Sequence, residues 1–104
     1  METLNFRFDS GSRHVTHVTE LVGVVSSGNL EILIEQAALQ GGCEIEVHTA
    51  ARGFGMIWQA VLDDFQARWQ LCDVRIAIND MGATPAVVSL RLDQAVESMI
   101  GTTP

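Results

Sequence analysis

Apolar and polar residues alternate along much of the first half of the chain. At residues 4–8 the apolar side chains occupy every second position, and this period of two predicts a strand with one buried face. An apolar segment rich in β-branched residues covers residues 20–26, and alternation returns at residues 30–35 and 43–49. The first half of the chain is therefore predicted to form mostly antiparallel sheet.

A short polar connection separates the second and third of these predicted strands. It consists of Ser26, Ser27, Gly28 and Asn29. Glycine and asparagine readily adopt the positive φ that tight hairpins require. We therefore predict a β-hairpin with Ser27 exposed at its turn. A serine in such a turn is commonplace, so the pattern alone does not assign it a function.

The periodicity changes in the second half. Trp58, Leu62, Phe65 and Trp69 recur at helical spacing with polar residues between them, which predicts an amphipathic helix over about residues 56–71. Such a helix is long enough to cover one face of a small sheet, and its tryptophans would then belong to the core.

Three further elements are predicted after this helix. Residues 74–80 read as a strand, residues 86–93 as a second strand after a turn, and residues 94–100 as a short C-terminal helix. The predicted fold class is α+β: a small, mainly antiparallel sheet with one long amphipathic helix packed on a face and a short C-terminal helix.

The composition restricts the possible functions. With 13 acidic and 6 basic residues among 104, the formal net charge is −7, which argues against a nucleic-acid partner because phosphate binding depends on clustered Lys and Arg. Every basic residue is Arg, so neither a Schiff-base lysine nor a phosphate-loop lysine is available. No secretory signal and no membrane-length apolar run are present. We expect a single domain over residues 1–104, located in the cytoplasm, with no membrane contact.

The histidines are weak candidates for a functional site. His14 and His17 are three positions apart, but without cysteines or a carboxylate cluster this spacing does not predict a metal site. His48 lies in a predicted strand and has no serine or cysteine at a catalytic spacing. It is interpreted as a surface or hydrogen-bonded structural residue, and no catalytic residue or bound metal is predicted.

The carboxylates and thiols of the second half also suggest structural roles. Asp63 and Asp64 are adjacent and would point to different sides of the helix, which is poor geometry for an acid and base pair. Cys43 and Cys72 lack the CxxC spacing of a redox pair. We expect a solvated helix face and two buried, reduced thiols.

Three stretches, at residues 24–31, 58–62 and 79–92, together resemble the acyl carrier protein (delta subunit) family of malonate decarboxylase. They occur in the same order over most of the chain. The most specific part is Asp80, followed after Met81 by Gly-Ala-Thr-Pro and an alternating apolar segment. One departure concerns the hairpin, where Ser26 stands in place of a glycine common in the family and competes with Ser27 for the family's role.

The resemblance implies a carrier without catalysis of its own. A triphosphoribosyl-dephospho-coenzyme A group would be joined covalently to Ser27 through a phosphodiester and would carry acetyl and malonyl thioesters. The implied partners are the acyltransferase and decarboxylase subunits of the same complex and a separate prosthetic-group transferase. That transferase would supply the attachment chemistry, so Ser27 would need no histidine base.

Three other functions remain open from the sequence. The chain could be a noncatalytic interaction domain that carries no prosthetic group, with its acidic surface docking a basic partner. It could be a carrier subunit of the citrate lyase type, which uses a similar arm. A small hydrolase ranks last, because no nucleophile, base and orienting group occur together.

Overall fold

The computed structural model describes residues 1–9, 11–14, 22–27 and 29–100. Seven strands and two helices lie in this part of the chain. In chain order they are β1 (Glu2–Phe8), β2 (Arg13–His14), β3 (Val22–Ser27), β4 (Leu30–Gln36), β5 (Cys43–Thr49), α1 (Gly55–Trp69), β6 (Leu71–Cys72), β7 (Val74–Asp80) and α2 (Pro85–Ile100). The strands predicted in the first half and at residues 74–80 are present. Residues 20 and 21 of the predicted second strand lie outside the described residues.

Five strands form one sheet in the order β1-β5-β7-β4-β3. The β5 and β7 pair is parallel, and the other three neighbouring pairs are antiparallel. The short strands β2 and β6 form a separate parallel pair. The predicted α+β class with a mainly antiparallel sheet is confirmed, and the parallel pair at its centre is an addition to it.

Alternation along the central strands separates a buried from an exposed face. In β7, Val74, Ile76 and Ile78 are fully buried, whereas Arg75 and Asn79, at alternate positions, are exposed. The neighbouring strands β4 and β5 bury alternate positions in register with β7. Each fully buried isoleucine contributes about 1.5–3 kcal/mol. The buried aliphatic side chains of β4, β5 and β7 therefore provide much of the free energy that stabilises the sheet.

Helix α1 covers the buried face close to its predicted bounds. Trp58, Leu62, Phe65 and Trp69 are buried and belong to the same core cluster as the sheet. The helix ends where Gln70 adopts a left-handed backbone conformation and donates its N–H to a carbonyl of the last turn. Both tryptophans are core residues, as predicted from their spacing.

The strand predicted at residues 86–93 is wrong, because these residues are helical. They lie in α2, which also includes the short terminal helix predicted at residues 94–100. Thr84 precedes the helix, and its carbonyl and hydroxyl accept hydrogen bonds from backbone N–H groups of the first turn at 3.0 and 3.3 Å. Pro85 occupies the first helical position, where its missing N–H costs nothing.

Tertiary packing accounts for the helix at these positions. Val88, Leu92, Ala95 and Val96 are buried in the core cluster, at spacings that place them on one side of a helix. Helix α2 contacts α1 and the strands β3 and β4. Of the helices in the described part of the chain, none is long and apolar enough to cross a membrane.

Candidate functional site

The predicted hairpin joins β3 to β4 and places Ser27 at its turn. Ser27 is the last residue of β3 and pairs with Leu30. The hairpin is present as predicted, but its connection has two residues, because Ser26 and Ser27, predicted to belong to the connection, lie in β3. Ser26 pairs with Glu31 one position further along. The side chains of both serines lie outside the described part of the chain, so the predicted exposure of Ser27 stays a prediction.

Ser27 belongs to a row of paired residues that crosses the sheet at one end. Ser27 pairs with Leu30, Leu30 with Asp80, Asp80 with Thr49, and Thr49 with Glu2. Neighbouring strands are about 4.8 Å apart, so the backbone of Ser27 lies roughly 10 Å from that of Asp80. The serine hairpin and the Asp80 motif, which are far apart in sequence, therefore meet at the same end of the sheet.

Asp80 connects the strand β7 to the loop that leads into α2. Its Oδ1 accepts hydrogen bonds from the backbone N–H groups of Gly82 (3.1 Å) and Ala83 (2.8 Å), and its Oδ2 accepts one from the hydroxyl of Thr49 (2.9 Å). The residue is only 4% exposed. Burying a carboxylate is costly unless it is well bonded, and these three donors supply the compensation.

Backbone hydrogen bonds fasten the hairpin turn to the same loop. The N–H of Met81 donates to the carbonyl of Asn29 at 2.8 Å, and the N–H of Ala50 donates to the carbonyl of Asp80 at 2.9 Å. Asn29 in the hairpin turn is thus hydrogen-bonded directly to Met81 in the Asp80 loop. These two hydrogen bonds therefore connect the hairpin turn, the start of the Asp80 loop and the end of β5.

A cleft of about 310 Å³ opens beside Asp80. It lies between the ends of β5 and β7, the first half of α1 and the start of α2. Most of its lining is apolar, with Thr49 and Asp80 as polar members. The lining residues are Thr49, Ala51, Phe54, Ile57, Trp58, Val61, Asp80, Gly82, Ala83, Pro85 and Val88.

His48 has a structural role, as interpreted from the sequence. Its Nε2 lies 2.6 Å from a carboxylate oxygen of Glu46, and its Nδ1 lies 3.2 Å from the hydroxyl of Thr3. In the part of the chain that is described, no group of three or more His, Cys, Asp or Glu residues could hold a metal ion. His17 and the side chain of His14 lie outside that part.

The adjacent aspartates of α1 are both exposed and face different partners. Asp63 accepts a hydrogen bond from Gln59, and Asp64 pairs with Arg68. Arg68 also contacts Asp93 at 2.9 Å, and hydrogen bonding to Asp93 is the main reason that the pKa of Arg68 is raised. The aspartates therefore form a solvated, ion-paired helix face rather than an acid and base pair.

Both cysteines are buried and neither forms a disulfide, as predicted. Burial, with a smaller contribution from the neighbouring Glu44, raises the pKa of Cys43 to about 12. Burial also raises the pKa of Cys72, with a contribution from Asp73. Since the thiolate is the nucleophile, both cysteines are unsuited to covalent catalysis at neutral pH.

The sequence reasoning missed the structural role of Asp80 and the cleft beside it. Asp80 was noticed only as part of a family motif. An aspartate at the end of a predicted strand, followed two and three residues later by Gly and Ala, is a pattern that favours side-chain bonds to the following backbone N–H groups. That signal could have predicted the turn, but its bond to Thr49 depends on the strand order.

Comparison with known proteins identifies the family. The family model described as malonate decarboxylase delta subunit (MdcD) matches residues 17–99. The chain belongs to this family. A malonate decarboxylase acyl carrier protein of Xanthomonas euvesicatoria pv. vesicatoria (strain 85-10) is 66% identical over 103 residues, covering 97% of both chains. That of Stenotrophomonas maltophilia (strain R551-3) is 62% identical over 103 residues, covering 97% of this chain and 96% of the relative.

A solved structure supports both the family and the fold. It is the crystal structure of a Pseudomonas malonate decarboxylase hetero-tetramer in complex with malonate. One of its chains is 38% identical to this one with a TM-score of 0.74, covering 95% of this chain and 99% of that one. The resemblance drawn from the serine hairpin and the Asp80 motif is therefore confirmed at the level of the family.

Proposed function

We propose that this chain is the acyl carrier subunit of a malonate decarboxylase and carries a triphosphoribosyl-dephospho-coenzyme A group on Ser27. The observation that carries the proposal is the 66% identity over 97% of the chain to a malonate decarboxylase acyl carrier protein. The position of Ser27 at the end of β3, next to the two-residue connection to β4, supports its choice as the attachment residue.

The residues around the hairpin fit such a group. The hydroxyl of Ser27 is the chemical group that a phosphodiester requires, and Asn29 is exposed beside it. When bound, the prosthetic group would supply a thiol that holds acetyl or malonyl as a thioester. The hydrogen bond from the N–H of Met81 to the carbonyl of Asn29 links the hairpin to the Asp80 loop, and the side chain of Asp80 orders that loop.

The protein itself would contribute presentation and recognition, not catalysis. We expect it to serve the acyltransferase and decarboxylase subunits of the complex and to be modified by a separate prosthetic-group transferase. A net charge of −7 would raise the rate of encounter with basic docking surfaces on these partners. The related chain in the Pseudomonas hetero-tetramer supports an assembly of this kind.

Intact mass and peptide mapping test the attachment. The wild-type protein is produced together with its native neighbouring genes and compared with Ser27→Ala and Ser26→Ala. We expect a coenzyme A-derived adduct in the wild type and in Ser26→Ala, and none in Ser27→Ala. Loss only in Ser26→Ala would keep the carrier function and move the site by one residue.

The remaining outcome would contradict the carrier function. An unmodified wild-type protein, produced with an attachment enzyme that modifies a known acceptor in the same cells, would favour an interaction domain without a prosthetic group. Circular dichroism of both serine variants shows whether each variant is folded. A folded Ser27→Ala without an adduct, beside Ser26→Ala with one, would mean that the acceptor hydroxyl was lost and not the fold.

A further inference from the structure

We propose that the cleft beside Asp80, defined by the lining residues given above, binds the neutral acetyl-thioester end of the prosthetic arm and rejects the malonyl form. The inference deepens the proposed function and rests on it. The cleft is expected to prefer a neutral, short acyl thioester as its ligand and to disfavour an anionic one.

Position is the first argument. The cleft and Ser27 lie at the same end of the sheet, since Asp80 lines the cleft and is separated from Ser27 by one strand. Two strand spacings amount to roughly 10 Å. An arm that contains a sugar phosphate, a nucleotide and a pantetheine unit is longer than this distance. Its thioester end can therefore fold back to the cleft without any change in the protein backbone.

Size and polarity are the second argument. A volume of about 310 Å³ lies at the lower end of the roughly 300–1,000 Å³ typical of small-molecule pockets, so the cleft suits the end of the arm rather than a whole nucleotide. Phe54 and Ile57 at its mouth are 45% and 44% exposed, while Trp58 further in is only 6% exposed. An apolar occupant would cover side chains that otherwise face water.

Charge is the third argument. Asp80 is the only charged residue among those that line the cleft, and no described lining residue is cationic. Each carboxylate oxygen can accept more than one hydrogen bond, so an amide N–H of a pantetheine unit is a compatible donor. A malonyl carboxylate would instead approach a like charge while losing water. We expect it to bind roughly tenfold more weakly or worse.

Weak binding is sufficient for this purpose. A group tethered by a flexible arm has an effective concentration in the millimolar range. A dissociation constant of about 1 mM for the free compound would therefore leave the tethered acetyl form in the cleft for a substantial fraction of the time. The acetyl arm would be sheltered between turnovers, whereas the malonyl arm would remain available to the partner subunits.

The test uses the unmodified full-length chain and free compounds, so it does not depend on arm attachment. Amide and indole signals are followed by two-dimensional ¹H–¹⁵N NMR near pH 6.5 while S-acetylpantetheine is added. We expect saturable shifts at Trp58, Gly82 and Ala83, with a dissociation constant on the order of 1 mM. S-acetoacetylpantetheine, a neutral compound close in shape to the malonyl form, should cause shifts at the same signals, whereas S-malonylpantetheine should bind roughly tenfold more weakly.

Two variants of α1 provide a matched comparison. Val61→Phe places a larger side chain in the cleft and should abolish the shifts, whereas Ala67→Phe lies on an exposed position outside it and should leave them unchanged. If Val61→Phe does not fold, Ala51→Leu blocks the cleft from the loop before the helix.

Several results would overturn the proposal. The first is the absence of shifts at about 10 mM S-acetylpantetheine, a concentration tenfold above the expected dissociation constant. The second is shifts that persist in the blocked variants, and the third is equal affinity for the malonyl and acetoacetyl compounds. A failure of the proposed function would be seen separately, as a wild-type protein without an adduct in the mass measurement.

Discussion

The alkaline stability of this protein should be controlled almost entirely by its two buried thiols. The sequence contains no lysine and no tyrosine, so between about pH 8.5 and 10.5 the only side chains with ordinary pKa values in range are those of the two cysteines. Cys43 is fully buried, and its pKa is raised to about 12. The perturbation is Cys43→Ala, which removes the thiol with the larger pKa shift.

The magnitude follows from linkage. Because the folded pKa of Cys43 is about 12 and the reference value is 9.0, the unfolded chain loses this proton first as the pH rises. The stability that the buried neutral thiol contributes is complete below pH 9 and is lost as the pH approaches 12. The loss is on the order of 1 kcal/mol at pH 10 and roughly 3 kcal/mol at pH 11. The pKa of Cys72 is also raised, so it adds to the loss in the same direction.

Urea unfolding measures this effect directly. Emission of the buried Trp58 and Trp69 reports the transition, and the free energy of unfolding is determined at intervals from pH 7 to pH 11 in the presence of a reductant. At pH 7 Cys43→Ala is less stable than the wild type, because a buried side chain is truncated. The free energy of unfolding of this variant should nevertheless fall less between pH 8 and pH 10 than that of the wild type, by roughly 1 kcal/mol.

The double variant Cys43→Ala, Cys72→Ala provides the decisive comparison. Its free energy of unfolding should be nearly independent of pH between about 8.5 and 10.5, because no other side chain titrates there. If the wild type and the double variant lose stability equally over this range, the buried thiols are not the cause and the reasoning is refuted. Midpoints that shift without a change in the urea slope would confirm that both proteins unfold in the same way.

Two further predictions concern packing and hydrogen bonding, and both are measured by urea unfolding at pH 7. Asp93→Ala should lower the free energy of unfolding by about 1–3 kcal/mol, because it removes the acceptor of the buried Trp69 indole N–H at 2.8 Å. Asp64→Ala removes only an exposed ion-pair partner of Arg68 and should cost less than about 0.5 kcal/mol, so equal losses in the two variants would contradict this account. Gly11→Ala should strongly destabilise the protein, because the added Cβ would clash with the backbone oxygen of Leu71. Gly55→Ala, whose added Cβ would have its nearest neighbour at 3.9 Å, should be neutral or stabilising by up to about 1 kcal/mol; equal stability of the two variants would contradict this account.

Local pattern predicted the elements whose burial follows simple periodicity. Alternation over residues 43–49 and 74–80 identified two central strands, because each has one buried and one exposed face. The helical spacing from Trp58 to Trp69 identified α1 for the same reason. The Gly28-Asn29 pair predicted the hairpin from the sequence, because glycine and asparagine are common in tight turns.

The same logic failed at α2 because alternation and helical spacing coincide over a short stretch. Val88 and Leu92 fit a period of two as well as a spacing of four, and β-branched residues favoured the strand. Thr84 and Pro85 are a typical helix start, and greater weight on this pair would have favoured the helix. Contact with β3 and β4 is what makes burial of this face possible.

By itself, the sequence determined the alternation of its strands, the amphipathic surface of α1, the serine hairpin and the family to which the chain belongs. Only the tertiary structure decided the parallel pairing of β5 with β7, because register between distant strands depends on packing that no local pattern encodes. That pairing places Thr49 beside Asp80. The antiparallel pairing of β4 with β7 places the Asp80 loop beside the hairpin of Ser27. The cleft arises from this arrangement, since its walls come from segments that meet only once the sheet and both helices have assembled.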